Sequence, residues 1–188
     1  MPDSPLPPFS CTYSANLPEL LSQLNCTIAI STYQAGKVVF ISAKDEQHLV
    51  QLPRTFDRAM GLAINGKRMA VATRDEVIVL TNAPGLGVTY PKNPGIYDAF
   101  FVPQLTYFTG LVDIHDLHWG KDDKLWGVNT SFSCLVTMSD QFSWQPTWKP
   151  FFIDSMVSED RCHLNGLAMD KGAPRYVTAL GRQNSVQG

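Results

Sequence analysis

What this chain lacks narrows it first. Its four cysteines, Cys11, Cys26, Cys134 and Cys162, are widely spaced and form no CxxC pair. That excludes a zinc knuckle or a thioredoxin-type redox motif, and it is the pattern expected of buried, reduced thiols in a cytoplasmic protein. No stretch approaches the roughly 18 uninterrupted apolar residues of a membrane span. The first ten residues, Met-Pro-Asp-Ser-Pro-Leu-Pro-Pro-Phe-Ser, have neither a basic start nor an apolar centre, so no secretory signal is expected there. Charged residues make up only 17% of the chain and the net charge is −2, which offers no general attraction to nucleic acid or anionic lipid. There is no Gly-rich phosphate loop, no GxSxG and no HExxH.

What is present is a repeat. Arg58-Ala-Met-Gly-Leu-Ala-Ile64, Asp113-Ile-His-Asp-Leu-His-Trp119 and His163-Leu-Asn-Gly-Leu-Ala-Met169 are copies of one pattern. Each is followed by a polar turn and a second apolar run: Arg68–Thr73, Leu125–Thr130 and Arg175–Leu180. Gly61, Asp116 and Gly166 share one register, spaced 55 and then 50 residues apart. Short strands joined by turns and repeated every 40–50 residues or so are the signature of a β-propeller. A β-sandwich also uses short strands, but it does not predict matched internal copies.

The local signals agree. Asn16–Leu24 has helical spacing, with Pro18 in its first turn. Thr27–Ser31, Lys37–Ser42, Gln47–Leu52 and Glu76–Leu80 read as strands, and Asn65-Gly66 as a hairpin turn. Tyr97–Val102 is expected to be the outer strand of a blade, and Ser143–Pro150 to cover a blade edge. No convincing helix is expected after residue 30, which argues against parallel βαβ units.

The expected architecture is therefore all-β: a partial β-propeller of about three to four blades of antiparallel four-stranded sheets. Residues 1–26 form a lead-in with one short helix, and 27–188 the incomplete propeller. A closed ring needs about four blades, so the chain is expected to be a fragment of a longer protein or to close through another chain. Self-association through an uncovered blade face is the corresponding partner expectation.

Longer words carry a family resemblance. They include Thr32-Tyr-Gln-Ala-Gly36, Arg54-Thr-Phe-Asp-Arg-Ala-Met-Gly-Leu-Ala63, Tyr107-Phe-Thr-Gly110, Asn129-Thr-Ser-Phe-Ser-Cys134 and Arg161-Cys-His-Leu-Asn-Gly-Leu-Ala168. Together they resemble an uncharacterised bacterial family of conserved hypothetical proteins, domain of unknown function 4915. The resemblance covers nearly everything after residue 25 and implies a propeller-like fold in longer members. It implies no activity. A weaker likeness links Leu164-Asn-Gly-Leu-Ala168 to lactonase and gluconolactonase propellers, which hold a divalent cation at the channel mouth.

In a propeller the first strand of each blade lines the central channel, so equivalent positions converge. Arg58, Asp113 and His163 are equivalent, as are Met60, His115 and Asn165. Spacing of i and i+2 on a strand points Asp113 and His115 the same way, and likewise His163 and Asn165. The candidate ligand-binding set is Arg58, Asp113, His115, Asn129, His163 and Asn165, with turn hydrogen bonding as the plainer account of Asn129. A divalent metal, if bound, would use Asp113, His115, His163 and Asn165, a mixed N/O set suited to zinc or iron. The expected function is a module that binds a small molecule or peptide at the channel mouth. A metal-assisted hydrolase of the lactonase kind and a protein-interaction scaffold are the alternatives.

Overall fold

The computed structural model describes residues 11–185. Most of the extended lead-in expected over residues 1–15 therefore lies outside the described residues. The chain divides into two compact units, Met1–Arg58 and Ala59–Gly188.

The first unit holds helix α1 (Leu17–Leu24) and strands β1 (Thr27–Thr32), β2 (Lys37–Ala43) and β3 (Leu49–Thr55). Pro18 sits in the first turn of α1, where its missing N–H costs nothing. Asn25 ends the helix in the left-handed conformation, and its N–H bonds back to the carbonyls of Leu21 and Ser22. The strands pair antiparallel in the order β1-β2-β3. Pro18 and Leu21 of α1 and Val38 and Val39 of β2 are buried here.

The second unit is three antiparallel sheets in sequence. The first is β4 (Leu62–Asn65), β5 (Arg68–Ala72), β6 (Glu76–Asn82) and β7 (Phe101–Phe108). The next is β8 (Ile114–Trp119), β9 (Leu125–Asn129), β10 (Cys134–Met138) and β11 (Gln145–Trp148). The last is the pair β12 (Leu164–Asp170) and β13 (Ala173–Ala179). Each four-stranded sheet is a plain meander, so chain order equals spatial order. The all-β reading holds for both units.

The first strand of each sheet packs beside the first strand of the next, β4 against β8 and β8 against β12. Packing rather than strand pairing joins them. One core lies between the first two sheets and includes Ala70, Val77, Val79, Ile114, Leu117, Leu125 and Val136. A second joins the β8–β11 sheet to the β12–β13 pair through Val128, Leu135, Ile153, Cys162, Leu164 and Leu167. The middle sheet serves both cores, which is why every residue of β10 is buried.

Three local expectations are corrected. The outer strand begins at Phe101 rather than Tyr97. Gly95 turns the chain at φ 76°, and Tyr97 packs edge-on against Tyr90 with ring centroids 5.9 Å apart. A five-residue helix, α2 (Pro84–Val88), follows β6 where no helix was expected. Its Pro-Gly-Leu-Gly-Val sequence has poor intrinsic propensity, so only its Pro start signals it. A single 3-10 turn also occupies Lys121–Asp123. The 143–150 segment covers its sheet by pairing: β11 is hydrogen-bonded to β10.

Candidate functional site

The residue that opens each copy of the repeat shares a backbone state. Arg58, Asp113 and His163 are all left-handed, with φ of 49°, 51° and 45°. A side chain held in that region costs about 1–2 kcal/mol relative to ordinary helical geometry, less for a polar residue such as Asp. The pattern also corrects the i, i+2 argument. That argument requires extended backbone through 113 and 163, whereas β8 and β12 begin one residue later, at Ile114 and Leu164.

A β-bulge follows in each copy. Ile114 faces Asn129 and Asp116 faces Val128, leaving His115 as the extra residue. In the third copy the register breaks between Leu164 and Leu167, at Asn165 and Gly166. In the first, Met60 N–H donates to the Ala72 carbonyl while Ala72 N–H donates to that of Gly61. Two residues thus oppose one, and such bulges re-aim side chains that a regular strand would point elsewhere.

Side chains of the second and third copies meet, His115 from its bulge and His163 from the left-handed residue before β12. The His115 and His163 rings stand edge to face, with centroids 4.9 Å apart. His115 Nδ1 lies 3.1 Å from the Asp113 carbonyl, which only accepts, so Nδ1 carries the proton. His163 Nδ1 lies 2.7 Å from Asp160 Oδ2, and the same logic gives the same tautomer. Each imidazole is oriented through one nitrogen and keeps Nε2 as an acceptor with no partner among the described residues. The His163 side chain is 36% exposed, so solvent reaches the pair. No three His, Cys, Asp or Glu side chains cluster as metal ligands among the described residues.

The other candidates fall in different settings. Asp113 and Asn165 are exposed beside the pair, and Asp113 contributes its carbonyl rather than its carboxylate to His115. Asn129 is fully buried, and its Oδ1 accepts from Phe132 N–H at 3.0 Å, closing the turn between β9 and β10. Arg58 belongs to the first unit, where its guanidinium lies 5.7 Å from the centre of the Tyr33 ring.

Two carboxylates that the sequence reading passed over organise this region. Asp160 orients His163, and its own backbone N–H is pinned to the Ser131 carbonyl at 2.9 Å. Asp116 Oδ1 accepts from Leu117 N–H and Oδ2 from Leu167 N–H at 2.8 Å, so one side chain ties β8 to β12. Its signal was visible: a carboxylate stands where the other two copies have glycine. Gly61 is excluded from carrying a side chain, because a Cβ there would lie 2.9 Å from the Asp116 backbone.

The thiols divide. Cys134 and Cys162 are buried, but Cys11 and Cys26 are exposed, against the expectation of four buried thiols; all four are unpaired. Burial pushes the Cys134 thiol up to about 12. Burial also raises Cys162. Neither is activated as a nucleophile. Among the described residues no helix is long and apolar enough to cross a membrane.

No curated protein matches the chain. The family comparison agrees with the words that carried the resemblance. A family model described as Domain of unknown function (DUF4915) matches residues 15–188, and the chain belongs to that family.

Proposed function

We propose that this chain is a propeller-type binding module and that its ligand sits on the His115–His163 pair. The carrying observation is the edge-to-face contact at 4.9 Å between two imidazoles from successive repeats, each held through Nδ1. Two acceptors with no partner among the described residues suit a small molecule that presents hydroxyl or ammonium donors. The carboxylates of Asp113, Asp116 and Asp160 in the same region disfavour an anion. Exposed Asn165 supplies a further donor and acceptor at the rim. The propeller reading is supported by two consecutive meanders and a hairpin whose first strands adjoin, and by the shared left-handed residue and bulge at the head of each copy. Four unpaired thiols support a reducing compartment, the cytoplasm, as its location.

The second reading is a metal-assisted hydrolase. Two bare Nε2 atoms favour it, since imidazole is a good zinc or iron ligand. A catalytic zinc takes three protein ligands, and the pair supplies two, so binding ranks first.

One experiment separates them. Full-length protein is titrated with a panel of polyols, amino alcohols and small peptides, and its metal content is measured alongside. The binding reading expects a panel member to shift the His115 and His163 ring signals, with the shift lost in His115→Ala and in His163→Ala. Stoichiometric zinc or iron, lost in the same variants, supports the hydrolase. Neither result in a well-folded protein removes both readings and leaves the pair a structural contact.

A further inference from the structure

The first unit carries a cleft of its own. The turn after β1 and the segment leaving β3 border an open groove of about 670 Å³, lined by Tyr33, Gly36, Lys37, Thr55, Asp57 and Arg58 among others. That volume exceeds what a bare inorganic anion fills and suits a small organic molecule. The turn is fixed from both sides: Gly36 adopts φ 58°, and its carbonyl accepts from Phe56 N–H at 3.0 Å. The cleft is therefore built into the hairpin frame rather than formed by a loose loop.

Its chemistry is one-sided. Two cations, Lys37 and Arg58, face one carboxylate, Asp57. Lys37 Nζ is anchored on Thr55 Oγ1 at 2.6 Å, which holds one positive charge in the cleft wall. Among the described residues Arg58 makes no ion pair with a carboxylate, and its guanidinium lies over the Tyr33 ring, itself 43% exposed. A guanidinium over a ring face can keep its forked donors for bidentate contact.

Arg58 is also out of place conformationally. It is left-handed at φ 49°, where glycine or asparagine would be cheaper and arginine gains nothing from its long side chain. In the third copy the equivalent residue, His163, is itself a member of the histidine pair, and in the second Asp113 holds His115 through its backbone carbonyl. Strain kept at a non-glycine residue, in a cleft and with an unpaired charge, points to use of the side chain.

We propose that this cleft binds a small organic oxyanion, a phosphate or carboxylate ester or acid, with Arg58 gripping the anionic group, Lys37 adding charge, and Tyr33 covering the organic body. The proposal does not depend on the histidine pair, and the two sites take ligands of opposite character.

Calorimetric titration of the full-length chain with inorganic phosphate and with citrate, at constant ionic strength and against a chloride control, tests it. Saturable binding of either anion supports the cleft, and the stronger of the two identifies the anionic group. Arg58→Gly removes the charge while relieving the left-handed backbone, so it should fold at least as well as the parent and bind at least tenfold more weakly. Arg58→Lys should retain part of the affinity. The proposal is overturned by the absence of saturable binding or by undiminished binding in Arg58→Gly. A lower melting temperature for Arg58→Gly also overturns it, because the side chain would then be holding the fold.

Discussion

The second and third copies of the repeat differ less in sequence than in circumstance. Both open on a left-handed polar residue, both bulge at the same place, and both pair their first strand with their second. Yet β9 is buried along nearly its whole length, whereas β13 is mostly exposed. Strand β9 has β10 on its far side, and its sheet packs against a sheet on each face. Strand β13 pairs with β12 alone. Local sequence dictates the turn and the bulge, while the number of neighbours dictates burial and hence energy.

The largest effect that sharpens this comparison comes from one apolar position in each copy. Leu117 on β8 is fully buried, and Leu117→Ala should cost about 2–5 kcal/mol. Val177 on β13 is partly buried, and Val177→Ala should cost about 1 kcal/mol. Denaturant unfolding of the two variants measures both. Equal costs would mean that the third copy is as well packed as the second.

Next come the glycines of the shared register. Gly61→Ala places a Cβ 2.9 Å from the backbone of Asp116, which cannot rotate away, and should cost about 1–3 kcal/mol. Gly166→Ala meets the Thr178 hydroxyl at 3.0 Å, a side chain that can turn, and should cost less. Thermal melts rank the pair, and the reverse order would contradict the close approach of the first two repeats.

How much of this was legible follows the same division. The hairpins were readable, because polar turns separate the apolar runs that pair. His115 and His163 were both named from register alone. The route by which they meet was not readable. Strand periodicity pointed Asp113 and His115 the same way, but Asp113 is left-handed and meets the His115 ring through its carbonyl. Asp160 lay outside the repeat in an irregular loop, where spacing has no period to read. Helix α2 was hidden by its two glycines, and the start of β7 by an aromatic cluster that reads equally well as strand.

The smallest effect concerns the thiols. Cys11 and Cys26 should react with an alkylating reagent in the folded protein, and Cys134 and Cys162 only on unfolding. The raised Cys134 thiol also sets a pH dependence. Between the ordinary value of 9.0 and about 12 the folded state keeps a proton that the unfolded state releases. Its contribution to stability is complete below the ordinary value and is lost as pH climbs through that window. Cys134→Ala should flatten the alkaline decline in unfolding free energy.

The contact between successive repeats at the histidine pair is the central claim, and nitrogen-15 NMR of the imidazoles above the ordinary histidine titration range tests it most directly. The account predicts the Nδ1–H form for both His115 and His163, with cross-relaxation between their ring protons. An Nε2–H form at either residue, or rings too far apart for cross-relaxation in the folded protein, would contradict it.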